Sequence, residues 1–174
     1  MPFTNENVIK YFNNREIVCI SSVDTRMYNL KQPIDYTHNC IEEINESNFD
    51  EYTIFHDKFA VPLEMYYNSK NLQTEIDRFR VIIFKNQGKI HGSIFTKVGK
   101  NISEIFGLFI DDGYENKGIE SILINEMLIK LYNEFGSMDE IVYFIDENCT
   151  NELNSALDAG FMIKDMYKCY KCIL

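Results

Sequence analysis

The sequence predicts a mixed α/β (α+β) domain from about Phe79 to the C-terminus, an antiparallel meander followed by a parallel strand–helix–strand crossover. β-rich runs at 79–84, 89–98 and 102–110 are separated by the turn sequences Asn86-Gln87-Gly88 and Gly99-Lys100-Asn101, the mark of consecutive hairpins. Ile119, Ile122, Leu123, Leu128, Leu131, Tyr132 and Phe135 then hold a period of about 3.6, which makes Gly118–Phe135 a long amphipathic helix. Ile141–Ile145 is short and wholly apolar, as suits a strand buried on both faces. A strand, a helix and a strand in that order imply a right-handed crossover and a parallel pair.

The remaining elements follow in chain order. Thr4 is placed to cap a short helix over 4–14, and Glu16–Ser22 reads as a strand, with 23–37 polar and irregular. Cys40–Ile44 alternates weakly. Ser47-Asn48-Phe49-Asp50 resembles a capping box that opens a helix to about Phe59. Pro62 suits the first turn of another helix, with Leu63, Tyr66 and Tyr67 at helical spacing. Asn68–Asn71 interrupts that pattern, and Leu72, Ile76 and Phe79 continue one face. Beyond the crossover, a helix near Thr150–Ala159 leads through Gly160 into two short strands ending at Leu174.

Composition excludes several classes of function. The 174 residues are enough for one domain with a real core, and they include no repeat, low-complexity tract or Pro/Gly/Ser linker. A formal net charge of -10 without a Lys/Arg cluster repels phosphate backbones, so no nucleic-acid partner is expected. The same field attracts protonated amines. Neither a targeting segment nor an apolar run of membrane length is visible, so a cytoplasmic protein without a membrane partner is expected. The five cysteines are odd in number and form no framework. Cys169 and Cys172 make a C-x-x-C in a strand-like segment, where positions i and i+3 face opposite ways, and no metal is expected.

The chemistry concentrates at Leu108-Phe109-Ile110-Asp111-Asp112-Gly113-Tyr114-Glu115-Asn116-Lys117-Gly118-Ile119-Glu120-Ser121, where a strand ends, a two-glycine loop turns and the long helix begins. Free backbone N–H groups at a helix start, helped by the helix dipole, suit a pyrophosphate. The spacing is neither a P-loop, because Gly118 is followed by Ile-Glu, nor a G-x-G-x-x-G.

In these residues the chain resembles the GNAT superfamily of N-acetyltransferases. Their loop motif, L-x-V-x-P-x-Y-R/Q-x-x-G-x-G/A, is met in register by LFIDDGYENKGIE. The preceding meander, the buried strand after the helix, and Asn148, Gly160 and Phe161 in the closing segment also match. The resemblance covers 79–174 well and 38–78 loosely, making 38–174 an acyl-CoA-binding domain and 1–37 an N-terminal extension. It implies acetyl-CoA as cofactor and direct transfer of an acetyl group to a small-molecule or peptide amine. The cofactor-binding residues it implies are Leu108, Phe109, Ile110, Glu115, Asn116, Lys117, Gly118, Ile119, Glu120, Ser121 and Asn148.

Two departures put negative charge in the loop: Glu115 replaces the family's Arg or Gln, and Glu120 its second small residue. A third is Ala156, where the family often has a Tyr that protonates the leaving thiolate; Tyr143 is a candidate substitute. An alkyl amine must lose a proton before it attacks. Glu104, four residues before Leu108, is the candidate base, and strict alternation would put it on the face of Phe106, Leu108 and Ile110. Asp111, Asp112, Asp146 and Glu147 stand at strand ends, able to attract a basic substrate or simply solvated. Residues 47–78 would supply the acceptor side, with Phe59, Tyr66 and Tyr67 as lining or as core. The alternatives to a working transferase are a degenerate module of the same fold, serving as CoA sensor or interaction domain, and a structural domain without a ligand.

Overall fold

The computed structural model describes residues 17–34, 38–60 and 65–172. The helix expected at 4–14 and the helix start expected at Pro62 lie outside them. The described chain forms one seven-stranded sheet from β1 (Ile17–Tyr28), β2 (Ile41–Ile44), β3 (Phe79–Asn86), β4 (Lys89–Lys97), β5 (Ile102–Ile110), β6 (Glu140–Asp146) and β7 (Met162–Cys172). The helices are α1 (Phe49–Phe59), α2 (Ser69–Thr74), α3 (Ile119–Phe135) and α4 (Thr150–Asp158). The sheet order is β2-β3-β4-β5-β6-β1-β7, and only the β5–β6 pair is parallel.

The meander and crossover form as the sequence predicts. Gln87 (φ 50°) and Gly88 (φ 76°) both adopt the left-handed conformation that a two-residue hairpin turn demands. The sheet divides two cores. Ile82, Ile94, Ile105, Leu108, Ile141, Tyr143 and Ile145 meet Leu123, Met127 and Leu131 of α3 and Ala156 of α4 on one face. On the other, Val81, Ile83 and Phe95 meet Phe49, Tyr52 and Phe55 of α1 and Leu72 of α2. Among the described residues no helix is long and apolar enough to cross a membrane.

Four expectations are corrected. First, β1 continues through 23–28, which reads as irregular because Asp24 and Arg26 interrupt it. Asp24 is 0% exposed, and Arg26 answers it by donating to both its carboxylate oxygens, with a further bond to Glu140 (3.0 Å). Val23, Thr25 and Met27 meanwhile face the core. Second, the C-terminal segment is one eleven-residue strand rather than two short ones. Its partner is β1, inserted between β6 and β7, so a local hairpin has no need to form. Third, Asn68 does not interrupt a helix but starts one: its side chain accepts from the Asn71 N–H (3.0 Å) and caps α2. The capping box at 47–50 is not made either, because the Asn48 side chain turns back to accept from the Asn45 N–H (2.7 Å).

A bulge in β5 governs the site. Phe95 is opposite Gly107 and Thr96 opposite Ile105, which leaves Phe106 as an extra residue. Ile105 and Leu108 therefore share the α3 face although three residues apart, while Phe106 and Phe109 pack on the α1 side. Gly107 is required by the close approach: a Cβ there would stand 2.7 Å from the Phe95 ring.

Candidate functional site

β5 and β6 pair only from Ile102↔Glu140 to Ile105↔Tyr143, although β5 runs on to Ile110 and β6 to Asp146. Beyond that point the strands part, and a cleft of about 380 Å³ opens between them. Leu108, Phe109 and Ile110 form one wall with Phe59 of α1, whose ring stacks on Phe109 at 5.1 Å. Asn148 to Glu152, at the start of α4, form the other wall, and Glu115 and Glu120 close the end next to α3. A polar groove of about 270 Å³ continues past Asn116, Gly118, Asn154 and Ser155 to Asp158.

The turn into α3 explains this shape. Gly118 begins the helix at φ 74°, and no side chain among the described residues caps it. Gly113 (φ 80°) and Gly118 both have open space where a Cβ would project. The intervening loop is clamped. Tyr114 lies between His91, stacked at 3.7 Å, and the Lys117 ammonium, 4.2 Å from its ring centre. Asp111 pairs with Lys58 of α1, and His91 Nδ1 lies 3.3 Å from its second oxygen. The Lys58 bond holds the Asp111 carboxyl below its ordinary range. Glu115 accepts from the Gly113 N–H (2.9 Å), and Asn151 donates to Asn116 (2.6 Å), tying loop to α4.

Of the cofactor residues implied by the resemblance, Leu108, Phe109, Ile110, Glu115, Glu120 and Asn148 line the cleft, and Asn116 and Gly118 line the groove. Ile119 is core, Lys117 is taken by Tyr114, and the Ser121 hydroxyl donates to Ser155 (2.9 Å). Glu104 stands apart from the cleft. The bulge at Phe106 breaks the alternation, so Glu104 shares a face with Phe106 rather than with Leu108 and Ile110. It lies opposite Lys97 where the strands are still paired. Burial raises its carboxyl, and Arg26 and Lys97 oppose that shift.

Tyr143 is fully buried behind the cleft, and its hydroxyl donates to Glu152, whose carboxyl reaches the cleft wall. Burial pushes Glu152 up to about 7 against the bond from Tyr143, with Glu120 and Asp146 adding to the rise. Burial likewise pushes the Cys149 thiol up to about 11, which keeps it protonated and a poor nucleophile. Sequence reasoning missed Glu152, yet a signal was present. It lies one helical turn before Ala156, the position the resemblance singles out, and therefore on the same face of α4. A larger cavity, about 520 Å³, lies between residues 27–34 and the outer part of α3 and α4, and among the described residues its charged lining is Lys31 and Asp158.

Neither a protein-family model nor a curated protein sequence matches the chain. Solved structures do. A conserved protein of unknown function from Staphylococcus epidermidis superposes with a TM-score of 0.70 at 13% identity, over 96% of this chain and 67% of its own. A GCN5-related N-acetyltransferase from Sphaerobacter thermophilus gives 0.66 at 11%, over 100% of this chain and 59% of its own. An aminoglycoside acetyltransferase from an uncultured soil sample, solved with trehalose, gives 0.58 at 19%, over 77% of this chain and 95% of its own. The chain thus spans 67% and 59% of the length of the first two.

Proposed function

From the fold it shares with the GCN5-related N-acetyltransferases, we propose that this chain transfers an acyl group from acyl-CoA, acetyl-CoA by the sequence resemblance, to an amine. The observation that carries this reading is the parting of β5 and β6 beyond Ile105 and Tyr143, which opens a cleft beside an uncapped helix start.

The residues present fit such a donor. The open sides of Gly113 and Gly118 and the backbone N–H groups at the start of α3 would hold its diphosphate, and Leu108 and Ile110 would line its pantetheine arm. Glu120 is the opposed charge. When bound, acyl-CoA supplies a thioester carbonyl open to attack by an amine. The chain supplies proton handling and positioning. Glu152 faces the cleft with a carboxyl poised near neutrality and oriented by Tyr143, and it takes the proton that an alkylammonium must lose. Among the described residues the β6-facing backbone edge of residues 106–110 has no strand partner, so its N–H groups are available to the developing oxyanion. Phe59, stacked on Phe109, limits water entry from the α1 side.

Incubation with acetyl-CoA and a panel of primary amines, followed for thiol release and for acetylated product by mass, tests the reading. Glu152→Gln is expected to lower kcat by about 10²–10⁴-fold, the usual worth of a general base. An unchanged kcat would remove Glu152 from the chemistry. A second reading, a CoA-binding module without turnover, is favoured by Glu120 in the cleft wall and by Ala156, which is fully buried in the core with no hydroxyl to offer. Acetyl-CoA binding by calorimetry with no product from any amine would select it.

A further inference from the structure

The Glu120 carboxylate faces open space with no partner from the described residues. The residue is 6% exposed and lines both the cleft and the groove beyond it. Among the described residues neither a hydrogen-bond donor nor a basic side chain meets its carboxylate. Its acidic neighbours differ: Glu115 accepts from the Gly113 N–H, Glu152 from Tyr143, and Asp146 from the Asn148 side chain. The two basic groups of this region are also engaged, Lys117 by the Tyr114 ring and Lys58 by Asp111. Its carboxylate opens to solvent through the cleft and groove, and its place in the first turn of α3 favours the charge.

We infer that Glu120 is a cation subsite, which binds the ammonium group of an alkyl amine and by doing so admits the anionic donor. A metal ion is the weaker occupant. No group of three His, Cys, Asp or Glu able to hold one occurs among the described residues, and hard cations need six or more oxygen ligands. An ammonium needs less, and the polar groove that Glu120 shares with Asn116 and Ser155 is open to it. Empty, Glu120 repels a diphosphate approaching the start of α3; paired with an ammonium, it no longer does. Amine and CoA therefore bind with positive coupling, and the coupling is the same whichever binds first. This rests on reading the start of α3 as the donor's phosphate site, and not on turnover.

Calorimetric titration of CoA into the full chain, with and without saturating butylamine and at matched ionic strength, measures the coupling. The expected result is that butylamine lowers the CoA Kd by roughly tenfold, within the usual range for coupled sites. In Glu120→Gln, CoA should bind tightly without the amine, and butylamine should change its Kd less than twofold. Asp112→Asn, exposed in the same loop and outside the cleft and groove linings, should retain the coupling. Wild-type chain that binds CoA with no response to butylamine overturns the inference, as does coupling that survives in Glu120→Gln. If CoA binds to none of the variants while chemical-shift titration shows butylamine binding that Glu120→Gln abolishes, the cation subsite stands and the transferase reading falls. If butylamine binds nowhere near Glu120 in the wild-type chain, the subsite falls whatever CoA does.

Discussion

At Thr96 of β4 the hydroxyl oxygen is fully buried and has no partner among the described residues, although Ser93, three residues earlier on the opposite face, takes part in a complete network. There the Tyr52 hydroxyl lies 3.1 Å from Ser93 Oγ and 2.9 Å from His56 Nδ1, while His56 Nε2 donates to the Tyr67 carbonyl (2.7 Å). That carbonyl fixes the tautomer, and burial lowers the imidazole's proton affinity, so His56 is a neutral core residue. Thr96→Val removes the unsatisfied oxygen at nearly constant shape. It should stabilise the fold by about 1 kcal/mol, seen as a rise of roughly 2–4 °C in Tm. Glu152 gives a pH-dependent counterpart. Its folded carboxyl titrates at about 7 against an ordinary 4.5, so between those values the native state holds a proton that the unfolded chain has released. Stability is therefore lost as pH rises through that window. Urea midpoints at pH 5 and pH 8 should show a larger fall for the wild-type chain than for Glu152→Gln. Its place one turn before Ala156 marks its face of α4 in the sequence but not its burial, since a Glu in the first turn of a helix is ordinarily solvated; the fully buried Tyr143 beneath it makes the difference.

Among the elements, β3–β5 and the β5–α3–β6 crossover were legible because alternation, turn residues and helical period agree there over long stretches. The bulge in β5 was not, since one extra residue leaves no compositional trace. It nonetheless decides which side chains reach the cleft, moving Leu108 and Ile110 off the face of Glu104. Gly107 is where this geometry is most exposed to test. A methyl group there meets Phe95 at 2.7 Å and Phe109 at 3.2 Å, both packed against other rings. Gly107→Ala should cost about 1–3 kcal/mol by overpacking. It should also displace Phe109 from Phe59, which near-ultraviolet circular dichroism would register as a changed aromatic signal.

For the molecule as a whole, the sheet order explains why the ends of the chain resisted sequence reading. β1 takes its hydrogen bonds from β6 and β7, more than a hundred residues away, so neither its length nor the single-stranded form of the C-terminal segment follows from local pattern. Asp24 and Arg26 look like loop residues until their mutual pairing is seen. The same arrangement has a kinetic side. A strand that waits for partners more than a hundred residues later gives a high contact order, and loop-closure entropy must be met before those pairings return anything. Refolding from urea should be single-exponential on the millisecond-to-second scale of non-local sheets rather than that of helical bundles. During synthesis, β1 leaves the ribosome long before the residues that flank it in the sheet exist. Until then its hydrophobic side and both backbone edges stand open to any other nascent strand or to a chaperone.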